Sequence, residues 1–374
     1  MANGRSKLAI GLYGVQLASR QLLGLVAQEA ADRNHSVLFL GGSMPPGDAF
    51  SRGRFDVIVF SISAGEKINA PEIELLRAAS SRTCCIFDTP DALNRIQDPA
   101  LRAKLDLALV PIPSEVEAAE RLGYRSAKFI AVPPHWSRFL RTRDWPDVIR
   151  AKLRKTRDLE HFAEIAPDDT VVVIGGGKDP EYVNQLFAAA IGVCREMFGE
   201  KFVLIARVHP NEVWPGDWEA RRQFYTARQA LFAGVWQIDT TSYDTIDSFL
   251  MVSDLLIGSG GLTAFIYGAM ERLPMIYFQD GAGANEANLR EIIGKPVWLP
   301  IDRGVAERVV GTNGLIAAIR TLATPEGRAQ LLARQIAFAS DEFVAVSRAF
   351  TERVIVDELE RQFLADPIAA RVPR

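Results

Sequence analysis

Along the chain, continuous apolar runs alternate with stretches whose apolar residues recur at helical spacing. Residues 7–13 (KLAIGLY) form such a run. Gly14 closes it, and Leu17, Leu22, Leu23, Leu25, Val26 and Ala30 then trace a helix that ends at Asp32-Arg33-Asn34. Residues 36–40 (SVLFL) and 56–61 (DVIVFS) read as strands buried on both faces, because their apolar positions are consecutive rather than alternating. A helical stretch over 71–80 leads to 83–88 (TCCIFD), and 107–110 (LALV) gives a further strand. Ser114 with Glu117 predicts a capping box at the head of a helix running to Leu122. Residues 127–132 close this series before Pro133-Pro134.

From 135 to 167 the alternation stops, giving way to a charged helical stretch with Trp136 and Trp145. A second cycle begins with 170–174 (TVVVI), Gly175-Gly176-Gly177 and a helix over 186–197. It continues with 201–208 (KFVLIARV), a short strand at 236–238, a helix around 246–252 and the strand 254–257 (DLLI). A helix over 262–270, the strand 274–278 (PMIYF) and a last strand at 297–299 complete it. Residues 325–363 predict one long helical tail, with Ile336, Phe338, Phe343, Val346, Phe350, Val354, Ile355 and Leu359 on an apolar stripe that crosses back onto the first lobe. The expected fold class is therefore α/β, with two Rossmann-like doubly wound domains. We place them at 1–140 and 168–324, joined by a helical linker at 141–167 and followed by the tail at 325–374. The length of 374 residues agrees with two cores rather than one. The repetition is one of architecture, with no fixed-period sequence repeat.

Composition narrows this picture. Hydrophobic residues at 48% and charged residues at 24% are the balance of an ordinary globular protein, and a net charge of -3 supplies no field to hold a polyanion. Nucleic acid is thus not an expected partner; the aromatic and basic residues of the linker fit a helix packed across a seam. Cys84, Cys85 and Cys194 sit in or near apolar runs without CxxC spacing and read as buried, reduced thiols. The N-terminus lacks a signal-peptide apolar core, and no run approaches the ~20 apolar residues of a membrane span. The expected location is cytoplasmic.

Chemistry concentrates at strand ends. The strand 254–257 runs into Gly258-Ser259-Gly260-Gly261, and a helix begins at Leu262-Thr263. Glycines let a phosphate approach the backbone, and the free amides and dipole of a helix start favour an anion. Ser259 and Thr263 add hydroxyls; the plain alternative is a tight strand-to-helix turn. Arg207-Val208-His209-Pro210 ends another strand, where His209 can donate to a phosphate or work as acid or base. Gly175-Gly176-Gly177-Lys178 follows a third strand but lacks the Walker A pattern, which removes support for ATP hydrolysis; Gly176 and Gly177 read either as a flexible turn or as a place beside donor phosphates. In the first lobe Gly14, Gln16 and Ser19 follow the first strand, and Asp88-Thr89-Pro90-Asp91 follows TCCIFD. Asp88 is a candidate general base, and Asp91 reads alternatively as a helix cap.

The segments RVHPNE at 207–212 and DLLIGSGGLTAFIYGAMERLPMIYF at 254–278 resemble the donor-domain signature of the GT-B superfamily of nucleotide-sugar glycosyltransferases, with their related 2-epimerases and glycerophosphate-type polymer transferases. The resemblance implies two Rossmann-like domains facing a central cleft, with the C-terminal helix crossing back. It implies no tightly bound cofactor but a nucleotide-sugar donor, a UDP-sugar first among them, and an acceptor of unknown identity. Gly260, Gly261 and Thr263 would hold the donor diphosphate, His209 would contact phosphate or sugar, and the loop from Asp239 through Thr240 to Tyr243 would meet the base. The activity implied is metal-independent glycosyl transfer, since no DxD-like pattern is present; a 2-epimerase, a glycerophosphate-type transferase and a non-catalytic binding protein are the alternatives. The sequence departs from the family where many members carry a ribose-binding acid after the glycine turn. Here that helix offers Ala264, Phe265, Ile266 and Tyr267, with Glu271 only near its end.

Overall fold

The computed structural model describes residues 7–15, 17–41, 55–62, 69–129, 165–166, 168–175, 180–207, 219, 223, 226, 236–239, 250, 252–259, 262–279, 283–343 and 351–364. The chain forms two compact units. The first comprises Met1–Arg141, Leu289–Lys295 and Asp341–Arg374, the second Thr142–Asn288 and Pro296–Ser340.

In the first unit, strands β1 (Ala9–Gly14), β2 (Ser36–Gly41), β3 (Val57–Ile62), β4 (Arg82–Phe87), β5 (Leu107–Val110) and β6 (Ala127–Phe129) make a parallel six-stranded sheet in the order β2-β1-β3-β4-β5-β6. Helices α1 (Leu17–Asp32), α2 (Ala70–Ala78), α3 (Pro99–Lys104) and α4 (Ser114–Arg121) connect the strands. The consecutive apolar runs become central strands whose described side chains are nearly all buried, as helices on both faces of a parallel sheet require. β2 departs from the expectation of a fully buried strand. It lies at the sheet edge, and Leu38 and Phe39 are 40% and 36% exposed. The capping box at Ser114 is also absent: Pro113 already has helical φ and ψ and is the cap residue, so Ser114 falls inside the first turn, where its side chain cannot cap. Asp98 does cap α3, accepting from the Ala100 amide at 2.8 Å ahead of a proline in the first turn.

In the second unit, β7 (Thr170–Gly175), β8 (Phe202–Arg207), β9 (Trp236–Asp239), β10 (Leu255–Gly258), β11 (Met275–Gln279) and β12 (Glu307–Val310) form a second parallel sheet, ordered β12-β11-β10-β7-β8-β9. Its helices are α5 (Pro180–Phe198), α6 (Leu262–Met270), α7 (Ala284–Ile293) as far as Asn288, α8 (Leu299–Asp302), α9 (Gly311–Ala323) and α10 (Pro325–Phe343) as far as Ser340. The core joins Val172, Ile174, Phe187, Ile257 and Ile276 to Leu315 and Ile319. The strand expected at 297–299 is not there. Trp298 caps the short helix α8, which Pro300 helps start, and the last strand is β12.

The expected tail is two helices, α10 and α11 (Thr351–Phe363). On α10 Phe338 is buried but Ile336 is 47% exposed, so the single stripe does not hold; Val346 and Phe350 lie outside the described residues. α11 does return to the first unit. Its Ile355, Val356, Leu359 and Phe363 join Leu12, Leu23, Val26, Cys84 and Ile86 in one core. His35 fastens it, accepting from the Leu8 amide at 3.1 Å through Nδ1 while Nε2 meets Glu360 at 2.8 Å. Arg82 donates to the Phe363 carbonyl and lies over its ring at 4.7 Å.

Apart from Ile165 and Ala166, the linker expected at 141–167 lies outside the described residues. Cys84, Cys85 and Cys194 are buried free thiols, and burial pushes the Cys194 pKa up to about 12. Among the described residues no helix is long and apolar enough to cross a membrane.

Candidate active site

Open parallel sheets bind ligands beyond the carboxyl ends of the strands, where the strand order reverses. In the second unit that point lies between β7 and β10. Gly175 stands opposite Gly258, and Gly175 in turn stands opposite Arg207 of β8, so the three residues form one row across the sheet edge. Asp239 ends the neighbouring strand β9, opposite Ala206. The Ser259 amide donates to the Gly175 carbonyl at 3.4 Å, and α6 begins three residues later. Thr263 is the second residue of that helix.

The glycine at 258 has a packing cause. A Cβ there would come within 3.1 Å of the Phe265 ring and 3.4 Å of the Gly175 carbonyl, so α6 can approach β10 only because no side chain intervenes. Ser259 is buried at 1% exposure, and its hydroxyl therefore faces protein. Glu271, the first carboxylate after the turn, follows the end of α6, roughly 13 Å along the helix at 1.5 Å per residue. His209, Gly176, Gly177, Gly260, Gly261, Thr240 and Tyr243 lie outside the described residues.

In the first unit the order reverses beside β1, and the edge there is acidic. Asp88 directly follows β4. Its amide donates to the Ile62 carbonyl at 3.1 Å, and its Oδ2 accepts from the Ser19 hydroxyl at 3.3 Å. Glu72, in the first turn of α2, accepts from the Val15 amide at 3.2 Å, just past β1. Both carboxylates are buried, at 1% and 0% exposure. Burial raises the pKa of the Tyr13 hydroxyl, and Glu72 adds to it; the Cys85 thiol is raised first by burial, then by Cys84, Asp88 and Glu72. Gly14 lets α1 start close to the sheet, for a Cβ there would lie 2.9 Å from Leu23 Cδ1.

Next to this pair the chain turns left-handed at Asp91 (φ 67°) before a 3-10 turn over Ala92–Arg95. Asp91 makes no side-chain cap to that turn, against the capping alternative. Its amide donates to Glu115 Oε1 at 2.5 Å and its Oδ1 accepts from Lys295 Nζ at 2.6 Å. Burial, then the Asp91 carboxylate, push the Glu115 carboxyl up to about 8.

Glu72, Glu115 and Lys295 did not stand out in the sequence. Each glutamate occupies the first turn of a helix that follows a strand, a position that does not by itself tell an inward-facing acid from a solvated one. Chemically, a strand-to-helix edge of the second unit's kind suits an anion, and the first unit's edge gathers carboxylates, groups that can take up a proton.

No family model and no curated protein matches the sequence. Solved structures do match the fold. The wall teichoic acid polymerase TagF aligns at TM-score 0.54 and 12% identity, over 95% of this chain and 89% of that one. The UDP-GlcNAc 2-epimerase from Neisseria meningitidis bound to UDP-GlcNAc aligns at TM-score 0.62 and 10% identity, over 94% and 99%. The glycotransferase of kitacinnamycin aligns at TM-score 0.53 and 15% identity, over 95% and 98%. The chain thus has the two-sheet α/β fold of the GT-B superfamily, as the glycine-turn and RVHPNE segments led us to expect.

Proposed function

We propose that this GT-B-fold chain is a glycosyltransferase that takes its sugar from a nucleotide-sugar donor, a UDP-sugar first, without needing a metal. The observation that carries the reading is the row Gly258, Gly175 and Arg207 at the reversal point of the second sheet, with α6 starting behind it. That edge suits the donor diphosphate. Backbone amides, the helix start and Arg207 stabilise the negative charge that grows on the leaving nucleoside diphosphate as its bond to the sugar carbon breaks. We assign Gly176, Gly177, Gly260, Gly261, Thr263 and His209 to the same phosphates, and Asp239, Thr240 and Tyr243 to the base. The acceptor hydroxyl forms the new bond to the sugar carbon and gives its proton to Asp88, the general base.

The test is a panel of UDP-, GDP-, CMP- and dTDP-sugars offered to the purified protein, with nucleotide release and bound donor both measured. Binding of one class, with His209→Ala weakening it, supports the reading. Neither binding nor release across the panel sinks it. NMR of the products separates transfer from inversion at the sugar's second carbon, the outcome that an epimerase would give.

A further inference from the structure

A general base works only where its carboxylate is aimed, and the segment that aims Asp88 is tied at both ends. At one end Asp88 is fixed by the Ile62 carbonyl and the Ser19 hydroxyl. At the other, Asp91 adopts the left-handed conformation, which costs Asp less than most side-chain-bearing residues but still leaves the turn dependent on its contacts. Two groups hold it, Glu115 through the Asp91 amide and Lys295 through the Asp91 carboxylate. A third tie follows, for Asn94 Nδ2 donates to the Ile293 carbonyl at 3.0 Å, two residues before Lys295. Asp91 and Glu115 are both 5% exposed, and the Glu115 Oε2 is buried with no hydrogen-bond partner among the described residues. A bare buried oxygen is far less costly on a neutral carboxyl than on an anion.

We propose that Glu115 and Lys295 are positioning residues that together clamp the left-handed turn at Asp91 and thereby set the aim of Asp88. The proposal rests on the reading of Asp88 as the base. Neither residue is assigned a contact with the substrate; both act through the backbone of 88–91. The charge state of Glu115 fits the task. Burial and Asp91 raise its carboxyl to about 8, the Asp91 amide and Lys295 oppose that, and Glu342 adds to it. Tyr124 faces it too, its own hydroxyl raised first by burial and, last of its causes, by Glu115. At neutral pH a protonated Glu115 therefore accepts the Asp91 amide without setting a second negative charge beside the Asp91–Lys295 pair. Above about pH 8 the second charge arrives and the clamp loosens.

The experiment compares the unaltered protein with Glu115→Gln, Glu115→Ala and Lys295→Met. Two readouts are taken: hydrogen exchange of the amides over 88–96, and the pH profile of donor turnover. Glu115→Ala and Lys295→Met should speed exchange in that segment roughly tenfold and lower kcat roughly tenfold to hundredfold with the donor KM unchanged. Glu115→Gln should keep slow exchange and most of kcat, and should lose the decline of kcat above about pH 8. Exchange in Glu115→Ala as slow as in the unaltered protein overturns the clamp, and so does exchange in Glu115→Gln as fast as in Glu115→Ala. Should Glu115→Ala not fold, Lys295→Met, which alters a half-exposed side chain, decides alone, and unchanged exchange overturns the proposal. Absence of turnover by the unaltered protein overturns the glycosyltransferase reading instead; exchange still judges the clamp.

Discussion

At the carboxyl ends of its strands the first sheet gathers Glu72, Asp88, Asp91 and Glu115, while strands of the second end in Gly175, Gly258 and Arg207. The two sheets share a plan. Each has six described parallel strands, each reverses its strand order beside the unit's first strand, and each uses a glycine at a strand end so that a helix can come close. With the scaffold held constant, the residues that cap the strands decide what the edge can do. One set is of carboxylates, which can hold a proton; the other is of glycines and an arginine, on which the proposed donor site rests. The plan of a doubly wound sheet thus fixes where a ligand is met, and the strand-end residues fix its charge.

The largest effect should come from stripping α11 out of the first core. Removing residues 351–374 takes Ile355, Val356, Leu359 and Phe363 from the first core. At roughly 1.5–3 kcal/mol each, that is about 6–12 kcal/mol, similar to a domain's whole stability of roughly 5–15 kcal/mol. Calorimetry should show the first unit's transition gone and the second's kept; survival of both would mean that α11 is dispensable. Next, Asp88→Asn should cut transfer roughly 10²–10⁴-fold while donor affinity, measured by titration calorimetry, stays as it was. Equal loss of both would erase the division of labour between the edges.

Glu115→Gln tests the acidic edge through stability. A carboxyl raised from 4.5 to about 8 favours the folded state fully below about pH 4.5, and that contribution is lost as pH rises to about 8. The variant should therefore gain on the unaltered protein across this window, by roughly 1.4 kcal/mol per pH unit at most, and the gap should stay flat above it. Urea unfolding of the first unit from about pH 5 to about pH 9 measures this, and a constant gap would mean that Glu115 is ionised throughout. The smallest effect is Gly258→Ala, where the added Cβ meets Phe265. Overpacking of about 1–3 kcal/mol should lower the second unit's transition only.

Much of the fold was legible because buried parallel strands advertise themselves as consecutive apolar residues: TVVVI, DVIVFS and LALV each became a strand. β12 escaped because an edge strand needs only one buried residue; in ERVV only Val309 is buried, while Val310 is 56% exposed. Val297-Trp298-Leu299 misled for the opposite reason: Val297 and Trp298 are apolar and buried, but Leu299 and Pro300 already open a short helix. At the site, the glycine turn and Asp88 could be read from strand ends. Glu72 and Glu115 could not, since an acid in a helix's first turn usually faces solvent and complements the dipole. Only folding reveals that each points inward to a backbone amide, Val15 and Asp91 respectively.

The return of α11 to the first core also sets an order of manufacture. Proteins made on ribosomes commonly complete their N-terminal domain first, at about 5–20 residues per second. Here the first unit waits for Thr351–Phe363 and so for the whole of the second unit, roughly 20–70 s after its first strand is made. During that interval the apolar face that α11 will cover stays open, and the newborn chain depends on chaperones or on speed.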